Sequence, residues 1–139
     1  MRTGISNGKF SVHAIAGTHV ITLAFDAKES AAKNLMGFAV YRTKFNSAGT
    51  PLNAGEWMTG YKPFEKDVPE PPKNVRYPMN DCPWQSFVWA DFAIEPNRSY
   101  EYKVYPVTGK VGKLKLGDAL VLPVTPEKTK HSKHEIFFN

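Results

Sequence analysis

The sequence predicts an all-β domain: two antiparallel sheets packed face to face as a sandwich, about seven strands, and a long proline-rich crossover. Short runs in which apolar and polar residues alternate recur along the chain, each rich in β-branched and aromatic types. Eleven Pro and ten Gly among 139 residues punctuate those runs, and no long stretch carries a helical period. Hydrophobic residues make up 42% of the chain, with nine Phe, six Tyr and three Trp. That is enough to fill one interior in a chain near the usual size of a single domain.

The elements follow in order. Phe10, Val12 and Ala14 alternate with Ser11 and His13; after the turn signal Gly17-Thr18, Ile21, Leu23 and Phe25 alternate with Val20, Thr22 and Ala24. This predicts a hairpin whose second strand is mostly buried. Residues 26–33 are rich in Ala and charge, with Asp26 or Ser30 as a cap, and predict a connecting loop holding one short helix. From Gly37 to Thr43 alternation resumes, with Phe38 and Val40 on one face and Ala39 and Tyr41 on the other. Between Asn46 and Pro83 stand seven prolines, and since proline lacks the ladder donor no central strand is expected there. Only Glu56 to Tyr61, joined by Phe64, reads as short edge strand, and Trp57 and Phe64 are expected to pack a solvated crossover. Trp84 to Phe92 reads as a strand that puts Phe87 and Trp89 on one buried face against Ile21, Leu23 and Phe38. Arg98 to Thr108 and Leu114 to Thr125 complete the set, with Gly109 to Gly112 as the turn of a hairpin between them.

Two resemblances sharpen this reading. The segment Ile94-Glu-Pro96-Asn-Arg-Ser-Tyr100-Glu-Tyr102-Lys-Val104 resembles the E–F corner of fibronectin type III domains, which are immunoglobulin-like sandwiches. The resemblance implies that Tyr100 is the corner tyrosine, its ring buried and its hydroxyl bonded to backbone upstream, with Ile94 and Pro96 shaping the corner. A narrower likeness runs through Val12 to Val20, Leu35 to Arg42, Gln85 to Asp91, Tyr100 to Val104 and His134-Glu-Ile-Phe-Phe-Asn139. In these segments the chain is similar to the N-terminal module of bacterial phospholipase D-like proteins. In that family the closing segment leads into a phosphodiesterase domain whose His-x-Lys-x4-Asp motif forms a phospho-enzyme on His. Here His131-Ser-Lys133 begins that pattern, but the position five residues after Lys133 is Phe138, so the activity is not expected in this chain. The implied layout is an N-terminal extension over 1–9, a sandwich over 10–125, and a linker or tail over 126–139 toward a downstream domain.

The remaining residues argue against most chemistries. Cys82 is the one cysteine, so no intrachain disulfide is expected and a reducing, cytoplasmic setting fits. No apolar run approaches the ~20 residues of a membrane span. His13 and His19 flank a turn while His131 and His134 lie in a polar tail, so no metal ligand set is nominated. No nucleophile motif or phosphate-cradling glycine loop is present, and no catalytic residue and no cofactor are expected. The net charge of +5 is spread over both ends of the chain rather than gathered in one stripe, which argues against nucleic acid as the partner.

What is left is a surface. The expected partner is a protein or an adjacent domain of the same chain. Carbohydrate is the alternative, on exposed aromatics drawn from Trp57, Trp84, Tyr61 and Tyr77. Lys110, Lys113 and Lys115 cluster at the final hairpin, where lysines either contact phosphate or guard a sheet edge against aggregation. Phe25, Phe38 and Trp89 are assigned to the core together with Tyr100.

Overall fold

The computed structural model describes residues 2–60 and 76–127. Its strands are β1 (Arg2–Ser6), β2 (Phe10–Ala16), β3 (Ile21–Ala27), β4 (Leu35–Phe45), β5 (Glu56–Trp57), β6 (Thr59–Gly60), β7 (Tyr77–Pro78), β8 (Val88–Asp91), β9 (Ser99–Lys110), β10 (Lys113–Leu116) and β11 (Leu120–Val124). One sheet has the order β1-β2-β3-β8; a second has the order β10-β9-β4-β5 with β11 also on β9; β6 and β7 form a small two-stranded sheet. Every pairing between these strands is antiparallel.

The alternation that marks each strand in the sequence is what fills the interior. Val12, Ala14 and Ala16 of β2, Ile21, Leu23 and Phe25 of β3 and Trp89 of β8 turn inward from the first sheet. Phe38 and Val40 of β4, Tyr100, Tyr102 and Val104 of β9, and Leu120, Leu122 and Val124 of β11 meet them from the second. All belong to one buried cluster, and each large apolar side chain in it stabilises the fold by roughly 1.5–3 kcal/mol. Phe25 stacks on Phe38 at 4.6 Å between ring centres, joining the two sheets directly. The all-β, sandwich-like architecture expected from the sequence is therefore present.

Several details differ from expectation, each for a physical reason. Residues 26–33 hold no helix: Ala31 and Ala32 donate to Lys28 O at 2.8 and 2.9 Å, but the turn stops there and Asn34 takes φ 63° before β4 starts. The strand expected over Trp84 to Phe92 shrinks to β8. Phe87 lies before it, 53% exposed, and touches Phe38 only edge-on at 5.9 Å, so it does not share the burial of Trp89. The run from Leu114 to Thr125 is two strands on different halves of β9: β11 faces Tyr100–Val104 and β10 faces Val107–Lys110. The break falls where Pro106 has no amide to offer, and its carbonyl accepts Gly117 N–H at 2.7 Å. Ala39 is fully buried although it points away from the interior, because Trp57 and Tyr105 pack over that face. Residues 2–6, read as an extension, pair with β2 over five positions as an edge strand.

Candidate functional site

Among the described residues a bonded group of ionisable side chains sits between the sheets, near the end where Tyr100 begins its strand. In β4, Arg42 follows the inward parity of Phe38 and Val40, and it is buried. Asp91, the last residue of β8, faces it from the other sheet: Arg42 Nη1 donates to Asp91 Oδ2 at 2.6 Å. The hydroxyl of buried Tyr102 donates to the same oxygen at 2.8 Å, and Asp91 Oδ1 accepts the N–H of Ala93 at 3.0 Å. Arg42 Nη2 reaches the surface carboxylate of Glu56 at 2.9 Å, while its guanidinium lies 5.4 Å over the ring of Tyr100. Three donors converge on Asp91, so its charge is met without water.

A second, exposed layer continues outward from this pin. Lys44 donates to Glu95 Oε1 at 2.9 Å, and Arg98 lies 3.5 Å from Glu95 Oε2. The backbone N–H of Glu95 donates to the hydroxyl of Tyr100 at 2.7 Å, which is the upstream bond that the corner motif implies. Burial pushes the Tyr100 and Tyr102 phenols above their ordinary range, with the Asp91 charge adding to the effect on Tyr102. Burial works against the charge of Arg42, but the adjacent Asp91 outweighs it and the net direction is upward. The hydrogen bond from Lys44 draws Glu95 below the usual carboxylate range. The pin thus holds fixed charges with their partners in place, and among the described residues no three His, Cys, Asp or Glu side chains converge where a metal could sit.

The sequence offers Asp91, with Asp26 and Glu95, as a carboxylate and Tyr102 as part of the corner motif, but nothing in it pairs either with Arg42. The signal was parity: each falls at an inward position of a strand otherwise apolar on that face, and opposite charges at inward positions of two strands invite pairing.

The aromatic candidates separate. Trp84 is committed to the fold: its backbone bridges Phe38, its indole N–H donates to Val88 O at 2.7 Å, and Gly60 lies against its ring. Trp57 of β5 is half-buried on the outer face of the second sheet, between Tyr41 at 5.1 Å and Tyr105 at 5.4 Å. Those rings are inclined to it by 76° and 52°, so the three are not coplanar. Tyr77 is half-buried in the small sheet, opposite Gly60; Tyr61 and Phe64 lie outside the described residues. Lys110 and Lys113 face each other across the β9–β10 hairpin, and Lys115 is exposed on β10 at the edge of its sheet. Ile94 and Tyr100 are buried and Pro96 is half-buried.

The outer face of the first sheet carries Arg2 beside Ile15 and Asp26 opposite Ser11, with small and apolar residues between. Ile15, Thr22 and Ala90 lie in one cross-strand row, and His13, Ala24 and Val88 in the next. Ile15 is 49% exposed, Val88 53%, and Phe92, just past β8, 78%. No model of a known protein family, no curated protein and no solved structure matches the chain, so these two features, a closed ionic pin and an open apolar face, are what a functional reading has to work from.

Proposed function

We propose that the chain is a non-catalytic, fibronectin-type-III-like sandwich that presents its surface to another protein or to an adjacent domain of the same chain. The topology supports the family reading. The neighbours β2, β3 and β8 would then correspond to strands A, B and E, and β4, β9 and β10 to C, F and G. Tyr100 is the second residue of β9, at the corner where E passes to F. Attachment to a phospholipase D-like phosphodiesterase domain belongs to the same proposal and rests on the motif likeness alone.

The observation that carries the reading is the outer face of the first sheet. Exposed Ile15, Val88 and Phe92, framed by small side chains and with Arg2 at the sheet edge beside Ile15, form the kind of patch that soluble domains keep for a contact. By contrast the ionisable centre is spent on joining the sheets, with Arg42, Asp91 and Tyr102 bonded to one another rather than poised for acid–base work. A photo-activatable residue at position 92 is expected to cross-link, in producing cells, to a discrete partner or to another part of the same polypeptide. The same probe at position 121, on the outer face of the second sheet, is the comparison. Equal labelling at both positions, or none at 92, would remove the proposal. The sugar-binding alternative keeps Trp57 and Tyr77 among the described residues, and a glycan-array signal that disappears in Trp57→Ala would favour it instead.

A further inference from the structure

Charge is distributed unevenly between the two ends of the sandwich. At the Tyr100 end Arg42 is matched to Asp91 and Glu56, and Lys44 and Arg98 to Glu95, while Arg2 of β1 stands without an ion pair among the described residues. At the opposite end three connections come together. The β1–β2 turn contacts the β3–β4 loop through the bond from Lys28 N–H to Lys9 O at 2.9 Å. β4 leaves that loop at Leu35, paired with Thr108, beside the β9–β10 hairpin. This end therefore carries Lys9, Lys28, Lys33, Lys110 and Lys113, all exposed and none in an ion pair among the described residues. Against them stand Asp26, whose carboxylate accepts the N–H of Ala27, and Glu29.

Apolar side chains are interleaved with these lysines. Val111 sits at the hairpin tip between Lys110 and Lys113, and Met36 lines the same shallow depression. Exposed Phe87 and half-exposed Phe10 flank Phe38 at this end, at 5.9 and 6.3 Å. We infer that this end docks peripherally on an anionic lipid surface, the lysines over the headgroups and Val111 with Phe87 at the acyl boundary. Juxtaposed lysines and apolar tips are the pattern an interface of that kind accepts. A nucleic-acid backbone would use the charges but gives Val111 and Met36 nothing to contact, and the group contains no arginine for bidentate phosphate or base recognition. The inference is independent of the sheet-face reading, since it uses other residues.

Flotation of the full chain with vesicles of phosphatidylcholine alone, or with about a third phosphatidylserine, tests it. Binding is expected only to the anionic vesicles and to weaken as salt is raised toward physiological strength. Each lysine reversed should weaken partition by about fivefold or more, from roughly 1 kcal/mol per lysine at such a surface. K110E/K113E and, on a different loop, K28E/K33E should therefore both lose binding, V111D should weaken it, and K103E on the outer face of the second sheet should leave it unchanged. Unchanged circular dichroism and melting would show each variant folded. Absence of binding to the anionic vesicles, equal binding to neutral ones, equal loss in K103E, or binding of a DNA duplex in its place would overturn the inference.

Discussion

Asp91 receives hydrogen bonds from Arg42, Tyr102 and the backbone of Ala93, and through them it links β8 to β4 and β9. A buried pair of this kind is weak evidence of net stabilisation, because desolvating two charges offsets much of their attraction. Breaking one side of it is another matter. Asp91→Leu should destabilise the domain by about 3–5 kcal/mol, since it strands a buried guanidinium whose Nε already lacks a partner. Arg42→Met combined with Asp91→Leu should recover most of that loss, measured by chemical denaturation of both variants. A double variant as unstable as the single one would show that the pair does more than satisfy itself. Tyr100 was legible beforehand because a motif names it. The pairing of Arg42 with Asp91 was not, because a charge at an inward parity reads like the frayed end of a strand until the partner strand is known.

Hairpins were legible among the elements wherever local chemistry decides them. The turn at Gly17 and Thr18 joins β2 to β3 in continuous register, and Val111 and Gly112, the latter at φ 85°, turn β9 into β10. Elements whose length depends on distant partners were not. β8 starts late because Trp84 is drawn to β4 instead, where Phe38 and Trp84 exchange backbone bonds at 3.0 and 2.7 Å. That exchange requires close approach at Gly37, which adopts φ 148° beside a register shift, and where a Cβ would meet Trp84 O at 2.5 Å. Gly37→Ala should therefore cost about 1–3 kcal/mol for the backbone conformation, with the clash added. It should also free the Trp84 ring, so that indole fluorescence shifts to the red before global unfolding. A variant with wild-type stability and emission would mean that the Phe38–Trp84 bridge does not hold this connection in place.

One interior and one ionic pin serve both sheets, so the molecule as a whole should lose stability in alkali through the pin. The phenol of Tyr102 is fully buried, and burial first, then the Asp91 charge beside it, raise its ionisation well above that of a free tyrosine. In the unfolded chain the same phenol titrates near pH 10. Above that pH the unfolded state binds fewer protons than the folded one, so stability falls with rising pH; below it the contribution is fully present. Each group that behaves this way can lower stability by about 1.4 kcal/mol per pH unit over the interval between its two values. Denaturant midpoints measured from pH 8 to 11.5 should therefore descend more steeply in the wild type than in Tyr102→Phe. Tyr102→Phe starts from a lower stability at neutral pH for want of the bond to Asp91. The lysines and the other tyrosines are common to both proteins, so the difference in slope belongs to this hydroxyl. Parallel descents would mean that alkali opens the sandwich elsewhere, and the join between the sheets would then rest on Phe25, Phe38 and their apolar neighbours alone.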